Sequence, residues 1–576
     1  MRSAATLSAG LAVLLLLGGC TGSPDSAEPA ESDAAAPPAG PVTAVPSAAR
    51  TMLADEGPVA SAASMSRALF SSSPVAVVAG DADPAGRLLG ASAAVGLGVP
   101  LLLGDDGATG DEVLAAELDR LGVTDVLTVG GDRGLVPAGA ERSVVSVPAD
   151  VEAVEEVTGL SLAGSDPVPA EGTVAAVAAL DPEQPAALVP ADEPPAAPSG
   201  SSGSTASSGS TGSASSGSAS GNAGELPAVR RPAPLADVLV LATGAPGFLA
   251  GVATARAAGA EVRLTGAAAD PRGSAEVVEA LAAGPAAVVL LGADLAGEPG
   301  LEWKIDTAAT GAQLPGGGQL LFPQHMMIAM YGTPGTGALG ILGEQDLPAA
   351  IQRAKDVAAP YRDLVDATVV PTFEIIATVA SEGAGRDGNY SNEIDPATLR
   401  PWVEAAGQAG LYVLLDLQPG RTDFVTQAQQ YQALLELPHV GLALDPEWRL
   451  RPGQVHLTEI GQVGIDEVNQ VVTWLADLTR EKALPQKLLV LHQFQVRMLP
   501  GLERLDTSRD ELAIMVHVDG QGGQAAKQST WEVLRRDAPQ PLYWGWKNFI
   551  DEDLPMLTPQ ETIEQVRPTP ELVTYQ

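Results

Sequence analysis

Cysteine is nearly absent from this chain: Cys20 is the only one in 576 residues. No intramolecular disulfide can form, and no thiolate cluster can hold a metal. Aromatic residues make up 4%, so cores must be built mostly from Ala, Val and Leu. Bases are scarce: 32 Lys and Arg stand against 71 Asp and Glu, a formal net charge of −39. That balance argues against nucleic acid as a partner, because phosphate repels such a surface. It reads as a solvated acidic surface, with recruitment of a cation or a basic partner as the alternative. Histidine is missing from the first half. His325, His439, His456, His492 and His517 all lie beyond residue 320, which puts chemistry near neutral pH in the C-terminal part. No compact ligand spacing such as H-x-x-x-H occurs, so neither a metal nor another cofactor is expected.

What is present begins with an anchor. Arg2 precedes an apolar run, Leu7 to Leu17, that is too short to span a bilayer. Leu17-Gly18-Gly19-Cys20 follows, and this resembles the bacterial lipoprotein lipobox. The resemblance implies a signal peptide over 1–19 and lipidation of Cys20. It places the protein on the extracytoplasmic face of the membrane, held there by acyl chains that contribute roughly 0.8 kcal/mol per buried CH₂. Residues 20–48 are rich in Ser, Ala, Pro, Asp and Glu with few large apolar groups, and read as a flexible tether.

Two stretches then share one plan. VAVVA, RLLGASAAVG, VPLLLG, the amphipathic Asp111 to Leu121 and VLTVGG alternate strand and helix. VLVLAT, FLAGVATARAAG, EVRLTG, SAEVVEALAAG and AAVVLLG repeat the alternation. Short apolar strands between helices of this length predict parallel sheets in α/β units. The expected organisation is a first α/β copy over 60–198, a Ser/Gly linker over 199–225 and a second copy over 226–300. The linker either splits one α/β domain or joins two. TVAAVAAL and AALVPA, ahead of it, are candidates for a further strand pair. The stretch GASAAVGLGVPLLLGDDGATGDEVLAAELDRLGVTDVLTVGGDRGL, with its Gly98-Val99-Pro100 step and closing Gly130-Gly131, resembles the putative cell wall-binding repeat 2 family. The resemblance spans about 65–145 and, more loosely, 235–300, and implies attachment to cell-wall polymer. The glycine turn at 129–132 reads as the strand-ending turn of that family's pattern, with an anion cradle as the alternative; the one at 332–340 lacks P-loop and dinucleotide spacing and reads as a βα loop.

Residues 301–576 predict a (β/α)8-like barrel, with a doubly wound open sheet as the alternative. Seven strands are legible: LLFPQHMMIAMYG, ATVVPTFEIIATV, LYVLLDLQ, VGLALDPEW, KLLVLHQF, LAIMVHVD and PLYWGWKNF. One more is unrecognised or missing. Strand C-terminal ends gather at one mouth of a barrel, where catalysis sits. That assigns Asp445, Glu447, Asp519 and Asp416 as candidate catalytic groups. His325, Glu374, His492, His517, Trp544 and Trp546 are candidates for binding substrate. In VGLALDPEW a period of two puts Gly441, Ala443, Asp445 and Glu447 on one face. There the like charge of Asp445 should raise the Glu447 pKa. Asp445-Pro446-Glu447 is similar to the D-x-E on the fourth strand of barrel glycoside hydrolases such as families 18 and 25. The resemblance implies a glutamic acid that protonates the leaving oxygen and an assisting aspartate. Trp544 and Trp546 share a face and would stack on sugar rings.

The sequence therefore points to a lipid-anchored surface protein that binds cell-wall polymer and binds or hydrolyses a glycan. The alternatives are a non-catalytic surface protein with a binding-only barrel, and a metal-dependent hydrolase using His325, His517 and Asp519. The lipobox spacing predicts that Cys20→Ser moves the protein from the membrane fraction into the medium, measured by fractionation together with mass spectrometry of the wild-type N-terminus for lipid.

Overall fold

The computed structural model describes residues 39–105, 107–131, 133–137, 141–164, 167–191, 226–266 and 268–576. Cys20, the signal peptide and the Ser/Gly run fall outside the described residues. Among those described, no helix is long and apolar enough to cross a membrane. The fold is mixed α/β, with two parallel sheets followed by a closed eight-stranded parallel barrel.

The first sheet orders its strands Leu101–Gly104, Val75–Gly80, Asp125–Val129 and Ser143–Val147, all parallel. The second orders Arg50–Leu53, Ala287–Leu291, Val238–Ala242 and Glu261–Leu264, also parallel. Arg50–Leu53 thus precedes the first copy in sequence but completes the sheet of the second. The tether expected over 20–48 also ends early, because Val42–Thr43 pairs antiparallel with Phe70–Ser72. TVAAVAAL is not a strand. Thr173–Ala178 is a helix, and its buried Val174 and Val177 show why, since they lie three apart on one helical face.

Helix Pro84–Leu97 starts cleanly: Asp83 accepts from the Gly86 N–H at 3.0 Å, Pro84 occupies the first turn, and Gly98 ends it at φ 73°. It is built of small residues because it is buried almost all round. At Gly86 a Cβ would come within 2.6 Å of the Val129 carbonyl oxygen. The two copies share one apolar core that runs from Met65 and Leu101 to Val240 and Val252. Across it the Thr254 hydroxyl donates to the Leu101 carbonyl and accepts from the Leu101 N–H, both at 3.1 Å.

The eight barrel strands, numbered here in chain order, are His325–Gly332, Thr368–Ala380, Tyr412–Leu417, Val440–Leu444, Lys487–Gln493, Leu512–Val518, Tyr543–Asn548 and Leu572–Tyr575. Each pairs with the next, and strand 1 pairs with both strand 2 and strand 8, closing the ring. The strand that sequence left unrecognised is Leu572–Tyr575, four residues next to the chain end. Outward aliphatics such as Val440, Leu442 and Leu444 pack under the helices. Inward ones, among them Met327, Ala329, Leu414, Ala443, Val490 and Met515, fill the lower barrel together with Leu314, Leu321 and Phe322. Burying each of the larger ones, such as Leu414 or Met515, stabilises the fold by roughly 1.5–3 kcal/mol. The barrel therefore has a mainly aliphatic floor, and its polar side chains gather at the upper end.

The α/β part meets the barrel through a buried cation. Lys304, 2% exposed, donates to Glu298, lies 2.7 Å from Asp510 and 3.3 Å from Asp270. Arg272, bonded to Asp270, also donates to the Asp510 carbonyl at 3.2 Å. Lys304→Met leaves these carboxylates without that cation, and should lower unfolding free energy by about 3 kcal/mol, measured by urea denaturation.

Candidate functional site

Two residues above the aliphatic floor, the inward positions turn polar. Ala329, Leu414, Ala443, Val490, Met515 and Leu572 belong to the floor. Tyr331, Asp416, Asp445, His492, His517 and Thr574 are the next residues on the same faces. Glu374 from strand 2 and Lys547 from strand 7 complete one polar residue per strand. Register ties them together: Tyr331 pairs with Glu374, His492 with His517, and Lys547 with Thr574.

His492 is the hub of this layer. Its Nε2 lies 2.9 Å from Glu374 Oε1 and its Nδ1 lies 3.0 Å from Asp519 Oδ2. The Thr574 hydroxyl donates to the other Glu374 oxygen at 3.0 Å. The Tyr331 hydroxyl donates to Asp416 Oδ2 at 2.8 Å, and the Gln418 amide donates to that hydroxyl at 3.3 Å. Lys547 Nζ sits 3.6 Å from the centre of the Tyr331 ring. His517 is fully buried, and neither ring nitrogen has a hydrogen-bond partner.

Burial and these contacts drive the pKa values apart. Burial alone would raise the Glu374 carboxyl, but the His492 hydrogen bond and the nearby positive charge pull it down to about 2. Burial also opposes charge on His492, yet its bonds to Asp519 and Glu374 outweigh this and hold it well above the usual histidine range. The same bond keeps Asp519 low against its own burial. Burial, with the charge of Glu374, raises Asp416 to about 6. Burial and the charges of Asp416, Asp519 and Glu447 push Asp445 well up. Glu447 rises to about 7 through burial and the Asp519 charge. His517 falls to about 3, chiefly through burial.

Over the layer lies a cavity of about 590 Å³, lined by Asp445, Glu447, Asp519, Lys547, Gln418 and Trp448, with Tyr331, Phe494 and Phe549 also at its wall. Asp445, Glu447 and Asp519 thus reach one space. Glu447 does so differently from the expected route. Strand 4 ends at Leu444, and Pro446–Trp448 is a short 3-10 turn capped by the Asp445 carboxylate, which accepts from the Glu447 N–H at 3.1 Å. The raised pKa comes from burial and Asp519 rather than from Asp445. Asp416, Glu374, His492 and His517 sit deeper, in the sealed layer beneath the cavity.

Three expected binding residues lie elsewhere. His325 starts strand 1 rather than ending it, so it is buried at the opposite end, its Nδ1 2.8 Å from the Leu321 carbonyl. The set His325, His517 and Asp519 is therefore not assembled. Trp544 and Trp546 face outward, edge-on to Trp531 of helix Gln524–Arg535 at 5.9 and 5.7 Å between ring centres. Their alternation was legible; which face they occupy was not. Residues not picked out as site candidates from the sequence include Tyr331, Lys547, Gln418, Thr574, Phe494 and Phe549. Lys547, directly after Trp546, carried a signal: one charge inside an apolar strand has to face the other way.

A scan against protein-family models finds no match, and a search of curated proteins finds none either. Among solved structures the chain is similar to Cwp6 from Clostridium difficile, at 14% identity and a TM-score of 0.29. That alignment covers 59% of this chain and 64% of the other, less than two thirds of its length. A likeness at that TM-score carries no argument for fold or function.

The positions of the tryptophans set an expectation opposite in kind for two of them. Trp546→Ala should cost about 3–5 kcal/mol of stability. Trp448→Ala, at the cavity wall, should cost little. Thermal melting checks both.

Proposed function

We propose that the barrel hydrolyses a glycan, with Glu447 as the general acid and Asp519 as the carboxylate that stays ionised across the cavity. The observation that carries this reading is the divergence of two carboxyl groups in one cavity. Glu447 is raised to about 7, whereas Asp519 is held low by its bond to His492. Glycoside cleavage needs such a pair: one protonated group for the leaving oxygen and one charged group to attack or to activate water. The cavity wall suits sugar. Trp448, Phe494 and Phe549 offer ring faces, and Gln418 and Gln521 offer amides for hydroxyl groups.

The cell envelope is the proposed setting. The lipobox-like Leu17 to Cys20 and the wall-binding-repeat-like stretches support lipid anchoring and attachment to wall polymer. The α/β part and the barrel would then bring polymer and cavity together on one chain.

Glu447→Gln keeps the size and most hydrogen bonding of the side chain but removes the transferable proton. Turnover of purified peptidoglycan or neutral wall polysaccharide should fall by roughly 10²–10⁴-fold, with binding retained. Because the acid works only while protonated, wild-type turnover should decline as pH rises through about 7, and this limb should vanish in the variant. Unchanged turnover in Glu447→Gln would remove it from the mechanism. A wild type that binds glycan without cleaving it would leave a binding-only barrel.

A further inference from the structure

Beneath the cavity lies a cluster of side chains whose one part in the proposed hydrolysis is the His492 bond that holds Asp519 low. Glu374, His492 and His517, from strands 2, 5 and 6, bring one donor atom each to within 4.8 Å of one another. His492 Nε2 is 2.9 Å from Glu374 Oε1, and His517 Nδ1 is 4.0 Å from that same oxygen. All three side chains are wholly buried.

Three features set this cluster apart from an ordinary buried ion pair. First, it leaves polar atoms stranded. Both nitrogens of His517 and Oδ1 of Asp416 have no partner, and that Asp416 oxygen lies 3.8 Å from His492 Nε2. Buried polar groups are normally satisfied, so these unsatisfied atoms around one point need a cause. Second, His492 is already held in the orientation of a metal ligand. Its Nδ1 meets Asp519 at 3.0 Å while Nε2 points to the cluster; a carboxylate behind an imidazole fixes the tautomer and ring in this way. Third, the acids outnumber the bases. Glu374, Asp416 and Asp519 lie within 4 Å of His492, Asp445 and Glu447 line the cavity just above, and Lys547 stands over the Tyr331 ring among them.

We propose that Glu374, His492 and His517 form a site for a divalent first-row transition cation, with Asp416 as a further oxygen donor. Two imidazoles and one carboxylate suit zinc, iron, cobalt or nickel rather than magnesium or calcium. On binding, the cation takes the place of the proton on His492 Nε2, which leaves to solvent, while Nδ1–H still donates to Asp519. The cation would fix the Glu374–His492–Asp519 chain, and with it the carboxylate at the cavity wall. This inference does not require the glycosidase reading, although it shares the His492–Asp519 pair with it, and its test involves no glycan.

Full-length protein stripped with a chelator is incubated with zinc, cobalt or magnesium, desalted, and assayed for metal by mass spectrometry. The expected result is one zinc or cobalt per chain, no magnesium, and a raised melting temperature with zinc. His517→Gln should drop to background metal while still melting cooperatively, and His456→Gln should retain the full complement. Background zinc in the wild type, or full zinc in His517→Gln, overturns the proposal. Should His517→Gln fail to melt cooperatively, X-ray absorption of the cobalt-loaded wild type decides. Two imidazole nitrogens in the coordination shell support the site; a shell without imidazole overturns it.

Discussion

The upper barrel depends on how His492 is held between Glu374 and Asp519. Five carboxylates enter a closed, dry ring whose floor is aliphatic, and water cannot reach the lower ones to solvate them. A charge buried in that setting persists only if paired and hydrogen-bonded. His492 supplies both, reaching Glu374 of strand 2 on one side and Asp519 beyond strand 6 on the other. The other acids adjust to that arrangement. With Glu374 and Asp519 ionised, Asp416 and Asp445 are driven upward by burial and by their neighbours' charge. Glu447, half-buried at the rim, feels chiefly Asp519 and settles at about 7. The electrostatic difference between the two cavity carboxylates therefore originates one layer below the cavity.

Barrel closure explains why these groups meet at all. Glu374 and His492 are 118 positions apart in sequence and His492 and Asp519 are 27 apart, so no local pattern could join them. What joins them is register plus a period of two. Once Ala443, Val490 and Met515 are inward, Asp445, His492 and His517 have to be inward as well. The same rule sends Trp544 and Trp546 outward, because His517 pairs with Gly545 and paired positions share a face.

Much of this was legible in the sequence, and the failures have physical causes. Aliphatic runs between amphipathic helices announced the α/β class and seven strands. Asp445, Glu447 and Asp519 were recognisable because charge at the end of an apolar run is costly unless it faces a mouth. Strand 8 was missed because Leu572–Tyr575 is too short to show alternation. His325 was misplaced because the apolar run begins before the strand does: Leu321 and Phe322 plug the floor, and the strand starts at His325. The tryptophan pair was read correctly for period and wrongly for face, since parity on one strand needs a neighbour's register to become absolute. Glu374 lies in the middle of the long strand Thr368–Ala380, and only its pairing with Tyr331 brings it to the level of the mouth.

The α/β part obeys a related logic. Chain order suggested two successive copies, yet Arg50–Leu53 lies ahead of the first copy and pairs with Ala287–Leu291 of the second. The second copy contributes three strands of its own, and the early strand covers an edge that would otherwise expose unpaired backbone. That exchange, with the shared core and the Thr254–Leu101 bonds, makes the two copies interdependent. A long connection between them is then easily accommodated. Loop-closure entropy rises only by about 0.6 kcal/mol for each doubling of length, which is small beside a core that neither sheet could bury alone. The α/β part and the barrel are in turn held together at Lys304, whose buried ammonium joins Glu298 and Asp270 on one side to Asp510 on the other.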